Sequence, residues 1–238
     1  MTSIEPKEFL TYLKRNLDEE TQRLVDLLKS EMDVLIFSGV IRDFALEHIG
    51  PMRDLDLVVK SNFDKLEEIF RTFENLTYAR NSFGGYKLQL GEMNIDIWEI
   101  ANTWAFKEKK IPQTIFNEFD LPGTCFFNFS SIVFDMRREE FIETKSFTKF
   151  RKSRMLDIVL RDNPYPELCI INSFYYREKF GLKFSSKLKH YLIDNFNKIE
   201  KNQFSKIQLK HFNRILFTYA KLTEKIAAIQ PRERPQTS

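Results

Sequence analysis

The chain has 238 residues, 42% hydrophobic and 30% charged, with 24 Phe against only 7 Gly, as expected of a packed, helix-rich globular protein of one or two domains. Its net charge of +3 hides an asymmetry: residues 1–150 sum to −7 and residues 151–238 to +10, so the basic half is a candidate polyanion surface. Cys125 and Cys169 lack metal-type or framework spacing, no run approaches the ~18 apolar residues of a membrane span, and the N-terminus has no signal core; a cytoplasmic protein with two buried thiols and no membrane partner is expected.

In chain order, residues 5–31 carry helical apolar spacing through Phe9, Leu13, Leu17, Leu24 and Leu28. Residues 33–39 read as a short apolar strand, 40–49 as a helix stopped by Gly50-Pro51, and 55–60 as a second strand. Ser61 or Asn62 can cap a helix over 63–76. Gly84-Gly85 marks a turn before two strands at 86–90 and 93–100, and two more strands are expected at 126–135 and 139–144. From about Thr148 the period becomes helical, giving helices over 147–160, 166–180, 185–196 and 206–229. This sets a boundary at 147/148, a helical module over 148–230 and a disordered tail over 231–238.

The chemistry concentrates between Phe37 and Lys60. Alternate strand residues share a face, so Asp54 and Asp56 aim at one point. Asp96 stands mid-strand between Ile95 and Ile97, where a carboxylate is costly unless paired or metal-bound. Ser38-Gly39 precedes a helix, whose N-terminus favours phosphate, and Arg42 follows within reach. With 13 Asp, about 0.7 Asp-x-Asp pairs are expected by chance, and a strand edge, an ion-paired Asp96, an Arg42–Asp43 pair or a simple Ser-Gly turn are the structural alternatives. Trp98 and Trp104 could stack a base or fill a core, and His48, His190 and His211 are too scattered to form a site.

The run Ser38-Gly39-Val40-Ile41-Arg42-Asp43, followed by Asp54-Leu55-Asp56 and Asp96, resembles the DNA-polymerase-β-like nucleotidyltransferase superfamily. It is most similar to the head and neck of tRNA CCA-adding enzymes and bacterial poly(A) polymerases. Ser131 to Asp135 matches the family's apolar strand ending in Asp, and Tyr175 to Leu182 resembles its neck helix. Two family devices are missing. The Arg-Arg-Asp motif would fall near Thr124-Cys125-Phe126, and the Glu-Asp-x-x-Arg base template on Tyr165-Pro166-Glu167-Leu168-Cys169. CCA addition is therefore not expected.

The resemblance implies an α+β fold, with a mixed-sheet nucleotidyltransferase head flanked by helices and an all-helical neck-like module. It implies transfer of an NMP from an NTP to an acceptor hydroxyl with release of pyrophosphate. Asp54, Asp56 and Asp96 would be both catalytic residues and ligands of Mg2+ or Mn2+; Ser38, Gly39 and Arg42 would bind the nucleotide. The expected acceptor is RNA, held through the basic C-terminal helices. A degenerate binding module, or a transferase acting on a protein or small molecule such as a toxin or defence enzyme, stands as the alternative.

Overall fold

A computed structural model describes residues 4–48, 50, 52–111 and 117–230. The expected tail over 231–238 lies outside the described residues, as do Ile49 and Pro51 of the helix-stop region. The chain divides into two compact units, Met1–Lys152 and Ser153–Ser238.

In the first unit, α1 (Pro6–Asn16) and α2 (Glu19–Glu31) are joined at Asp18, whose carboxylate accepts from the Thr21 backbone N–H and caps α2. Then come β1 (Val34–Phe37), α3 (Gly39–Ala45), β2 (Asp54–Val59), α4 (Leu66–Phe70), β3 (Leu76–Arg80), β4 (Tyr86–Leu90), β5 (Met93–Glu99) and α5 (Trp104–Lys107). β6 (Ile132–Asp135), β7 (Glu140–Glu143) and α6 (Lys145–Ser153) complete it. The strands form one seven-stranded sheet in the order β3-β4-β5-β2-β1-β6-β7. Only β2 and β5 run parallel; every other pairing is antiparallel.

Alternation divides this sheet into two faces. Leu55, Leu57, Val59, Ile95 and Ile97 join Phe9, Leu24, Leu28, Ile41 and Phe70 in the main core, beneath the helices. On the opposite face, Leu35, Val58 and Val133 pack with Ile100, Phe106 and Leu121 in a smaller cluster. That cover ends short of the start of β2, which leaves its first carboxylates accessible.

Several elements differ from expectation. The helix expected over 63–76 is a 3-10 turn plus the five residues of α4, and Leu76 opens β3 instead. Only Leu76 of β3 is buried, so the strand carries no alternating signal. Its hairpin with β4 turns at Asn81, whose side chain accepts from the Phe83 and Gly85 N–H groups. A Cβ on Gly85 would lie 2.7 Å from the Ile97 carbonyl oxygen, so only glycine lets this turn approach β5. The strand expected over 126–135 is extended only from Ile132; Phe126, Phe127 and Phe129 pack edge-to-face around a 3-10 turn.

The second unit contains β8 (Met155–Leu156), α7 (Pro166–Phe180), β9 (Lys183–Phe184), α8 (Ser186–Phe196), α9 (Lys201–Phe212) and α10 (Tyr219–Ala227). It is not all helical: β8 and β9 pair in parallel. The helix expected over 147–160 breaks at Arg154, where φ is +56°, and the following residues become β8. The helix expected over 206–229 is two, parted at Asn213 with φ +53°. Buried Gln208 fixes that corner: its Nε2 donates to the Phe217 carbonyl, and its Oε1 accepts from the Leu216 and Phe217 N–H groups. No helix among the described residues is long and apolar enough to cross a membrane.

Candidate active site

The parallel register of β2 and β5 sets Asp56 directly beside Asp96, and Asp54 beside Asn94. β1 lies on the other side of β2, with Phe37 opposite Asp56. Because Leu55, Leu57, Ile95 and Ile97 point into the main core, Asp54, Asp56 and Asp96 share the opposite face. Two apolar strands of matched alternation thus bring together carboxylates 40 or more positions apart in sequence. The wall beside them is aromatic: Trp98 meets Phe37 edge-on at 5.8 Å and is fixed by an Nε1–H bond to Thr103 Oγ1 at 3.1 Å.

The turn from β1 into α3 abuts the same point. Gly39 lies so that a Cβ would stand 3.7 Å from Asp56 Oδ2. Ser38, where the superfamily motif begins with Gly, is buried with φ +45° and ψ −74°, a conformation that L residues rarely adopt. Its N–H donates to the Ile132 carbonyl at 3.3 Å, and its own carbonyl accepts from the Arg42 N–H at 2.8 Å as α3 begins. Arg42 is held rather than free. Its Nε donates to Asp43 Oδ1 at 2.7 Å and its guanidinium lies 5.4 Å from the Phe129 ring centre.

Burial, then the charges of Asp96 and Asp54, push the Asp56 carboxyl up to about 7; Arg42 and Lys87 offset part of this. Asp96 is also raised, chiefly by burial, with Lys87 opposing and Asp54 adding. Lys87 was not foreseen. It sits opposite Asp96 in the β4–β5 register, with Nζ 3.9 Å from Asp96 Oδ1. Asn94, also unforeseen, donates from Nδ2 to Asp54 Oδ1 at 3.3 Å. Both lie on strands whose alternation is plain in the sequence, but which residue faces which is fixed only by strand pairing.

Among the described residues, no three His, Cys, Asp or Glu side chains stand close enough together to hold a metal ion as they are. Asp54 leans on Asn94 and Asp96 on Lys87. The donor set nonetheless suits a hard divalent cation: all-oxygen ligands, with the Asp56 carboxyl pushed up by burial and by the like charges of Asp96 and Asp54, a repulsion that a cation would relieve.

Where the family places Arg-Arg-Asp, this chain has no charged side chain. Thr124 is buried with Oγ1 donating to the Leu121 carbonyl, and Phe126 meets Phe127 edge-on. The Cys125 thiol contacts the Pro122 and Ser130 carbonyls, and burial pushes it well up. Cys169 is also a free thiol raised by burial, so neither cysteine is a poised nucleophile. At the place of the base template, within the second unit, Tyr165 stands against His211 and beneath Lys210.

No protein-family model and no curated protein sequence matches this chain. Solved structures do. A CCA-adding enzyme with ATP matches at TM-score 0.66 and 16% identity, covering 95% of this chain and 55% of that one. The Thermotoga maritima CCA-adding enzyme complexed with tRNA matches at 0.65 and 16%, covering 95% and 54%. A tRNA nucleotidyltransferase with a primer tRNA and an incoming ATP analogue matches at 0.58 and 13%, covering 87% and 60%. The chain therefore spans little more than half the length of these structures. At such identity the likeness shows the fold alone: the α+β fold of these nucleotidyltransferase structures.

Proposed function

On that fold, we propose that the chain is a metal-dependent nucleotidyltransferase that moves an NMP from an NTP to an acceptor hydroxyl, with release of pyrophosphate. The observation that carries this reading is the β2–β5 register, which sets Asp54, Asp56 and Asp96 on one open face beside the Ser38-Gly39 turn. A structural ion pair would need cations to match; here three carboxylates meet Lys87 at 3.9 Å and a partly diverted Arg42. Mg2+ or Mn2+ would be held by Asp54, Asp56 and Asp96, and would supply neutralisation of the phosphates and acidification of the acceptor hydroxyl.

The chain's own residues do the remaining work. Asp96, beside Asp56 and open to solvent, is placed to orient the acceptor hydroxyl and draw on its proton. Ser38 and Gly39 bring backbone to the edge of the carboxylate cluster, where the triphosphate would lie. Arg42, anchored by Asp43 and Phe129, adds positive potential there rather than a mobile contact. Trp98 and Phe37 form an apolar wall that keeps water from one side. RNA is the acceptor favoured by the +10 charge of residues 151–238, and the structural neighbours are themselves complexed with ATP and tRNA.

The absence of the Arg-Arg-Asp and base-template residues favours one second reading, a module that binds NTP without turning it over. Equilibrium dialysis with each NTP tests the common premise. Mg2+ or Mn2+ should add a component of binding that is absent in EDTA and falls at least tenfold in Asp54→Asn/Asp56→Asn. No metal-dependent component, or one that the mutation leaves unmoved, would refute the site.

A further inference from the structure

A cavity of ≈ 700 Å³ lies wholly within the second unit, built from the end of α7, β8, β9, α8 and the residues after α10. Its lining includes Arg177, Lys183, Lys189 and His190 and contains no Asp or Glu. Among the described residues, Arg177, Lys183 and Lys189 make no ion pair. The acidic groups of this unit that do form ion pairs are taken by other cations: Asp194 by Arg161, Glu224 by Lys221 and Glu178 by Lys225. Three cations without an ion pair thus gather around one concavity that has no carboxylate in its lining.

The floor is apolar. Leu182, Phe184 and Ile229 line it and are themselves buried. The Arg177 guanidinium lies 5.2 Å from the Phe184 ring centre, which sets it at the wall rather than loose in solvent. His190 Nδ1 is occupied by the Ser186 carbonyl at 2.8 Å, so Nε2 is the nitrogen left available. The volume falls within the range of small-molecule sites, roughly 300–1,000 Å³.

We propose that this cavity binds a nucleoside phosphate, with Arg177, Lys183 and Lys189 on the phosphate and the apolar floor under the sugar and base. Planar, forked Arg beside two Lys matches a multiply charged phosphate better than a single carboxylate. The floor adds a surface that a bare inorganic anion would not use. The site is independent of the transfer chemistry assigned to Asp54, Asp56 and Asp96. Its ligand could be a free nucleotide or one nucleotide of an RNA strand, which share this chemistry.

The test uses the full chain in EDTA, which silences metal-dependent binding at the carboxylates. AMP is titrated by calorimetry and a fluorescein-labelled 12-nucleotide single-stranded RNA by anisotropy. Wild type and Asp54→Asn/Asp56→Asn should bind alike. Lys183→Gln/Lys189→Gln, whose positions are exposed and safe for folding, should weaken binding at least tenfold. The slope of log K against log salt on RNA should drop by about 1.4, at ~0.7 for each phosphate that a lysine no longer neutralises. Tight AMP binding identifies a mononucleotide site, and RNA binding without AMP identifies a polynucleotide one. Binding of neither probe, or binding unmoved by the lysine variant, overturns the proposal; loss in Asp54→Asn/Asp56→Asn alone would move the ligand to the head.

Discussion

Asp56 carries the electrostatic tension of the site. Its folded value of about 7 stands against an ordinary carboxylate value of 3.8, so the folded chain is the tighter proton binder between those two limits. Stability of the metal-free protein should therefore fall as pH rises from about 4 to 7, the reverse of an ion-paired carboxylate. Asp56→Asn removes this charge. We expect it to stabilise the metal-free protein by ~1–2 kcal/mol at pH 8 and to flatten that limb, read by urea unfolding at pH 5 and 8. A loss of stability would mean the carboxylate is a structural partner. Lys87 gives a second expectation: its ammonium competes with a cation for Asp96. Lys87→Met should tighten Mn2+ binding to the nucleotide-free protein several-fold, about 1 kcal/mol for an exposed charge pair, measured by titration calorimetry. At this scale the sequence is a good guide where strand alternation alone decides: the spacing of Asp54 and Asp56 puts them on one face, and the isoleucines around Asp96 mark it as a carboxylate needing a reason. Lys87 and Asn94 are invisible there because their roles depend on register between strands.

Elements were legible when their own periodicity carried them and illegible when a side chain far along the chain set their ends. α1, α2 and α8 bury periodic apolar stripes, and α7 is bracketed by Pro166 and Gly181; all four follow the pattern of the sequence. The segment 206–229 also keeps an apolar rhythm, yet it is cut into α9 and α10. The cause is Gln208, buried and bonded to three backbone groups around Leu216 and Phe217. Gln208→Leu should strip those groups of partners and cost ~2–4 kcal/mol, read by chemical denaturation, with an isosteric Gln208→Glu also destabilising because its second oxygen cannot donate. A cost under ~0.5 kcal/mol would show that the corner is held by apolar packing instead. β3 went unseen for a different reason: with one face exposed and only Leu76 buried, its strand character comes from pairing with β4. The aromatic stretch at 126–129 looks like strand by composition, but its rings pack on one another and leave extended backbone only from Ile132.

Over the whole molecule, an acidic first part that carries the carboxylates precedes a basic part whose cavity is lined by Arg177, Lys183 and Lys189. The fold is one shared with nucleotidyltransferase structures, whereas Thr124-Cys125-Phe126 stands where the resembled family has the Arg-Arg-Asp that holds sugar and phosphates, and the Tyr165 region where it has its base template. A fold does not fix a function, so the proposed transfer chemistry rests on the carboxylates Asp54, Asp56 and Asp96 and the base choice on other contacts. The decisive measurement is label transfer. Purified protein is incubated with each NTP labelled at the α-phosphate, with Mg2+ or Mn2+, together with total RNA and protein extract, alongside Asp54→Ala/Asp56→Ala. The account predicts α-label fixed to a macromolecule, most of it RNA, with stoichiometric pyrophosphate and at least a thousandfold loss in the double variant. No incorporation from any NTP, in a protein whose metal-dependent NTP binding is intact, would contradict it and leave a binding module in place of an enzyme.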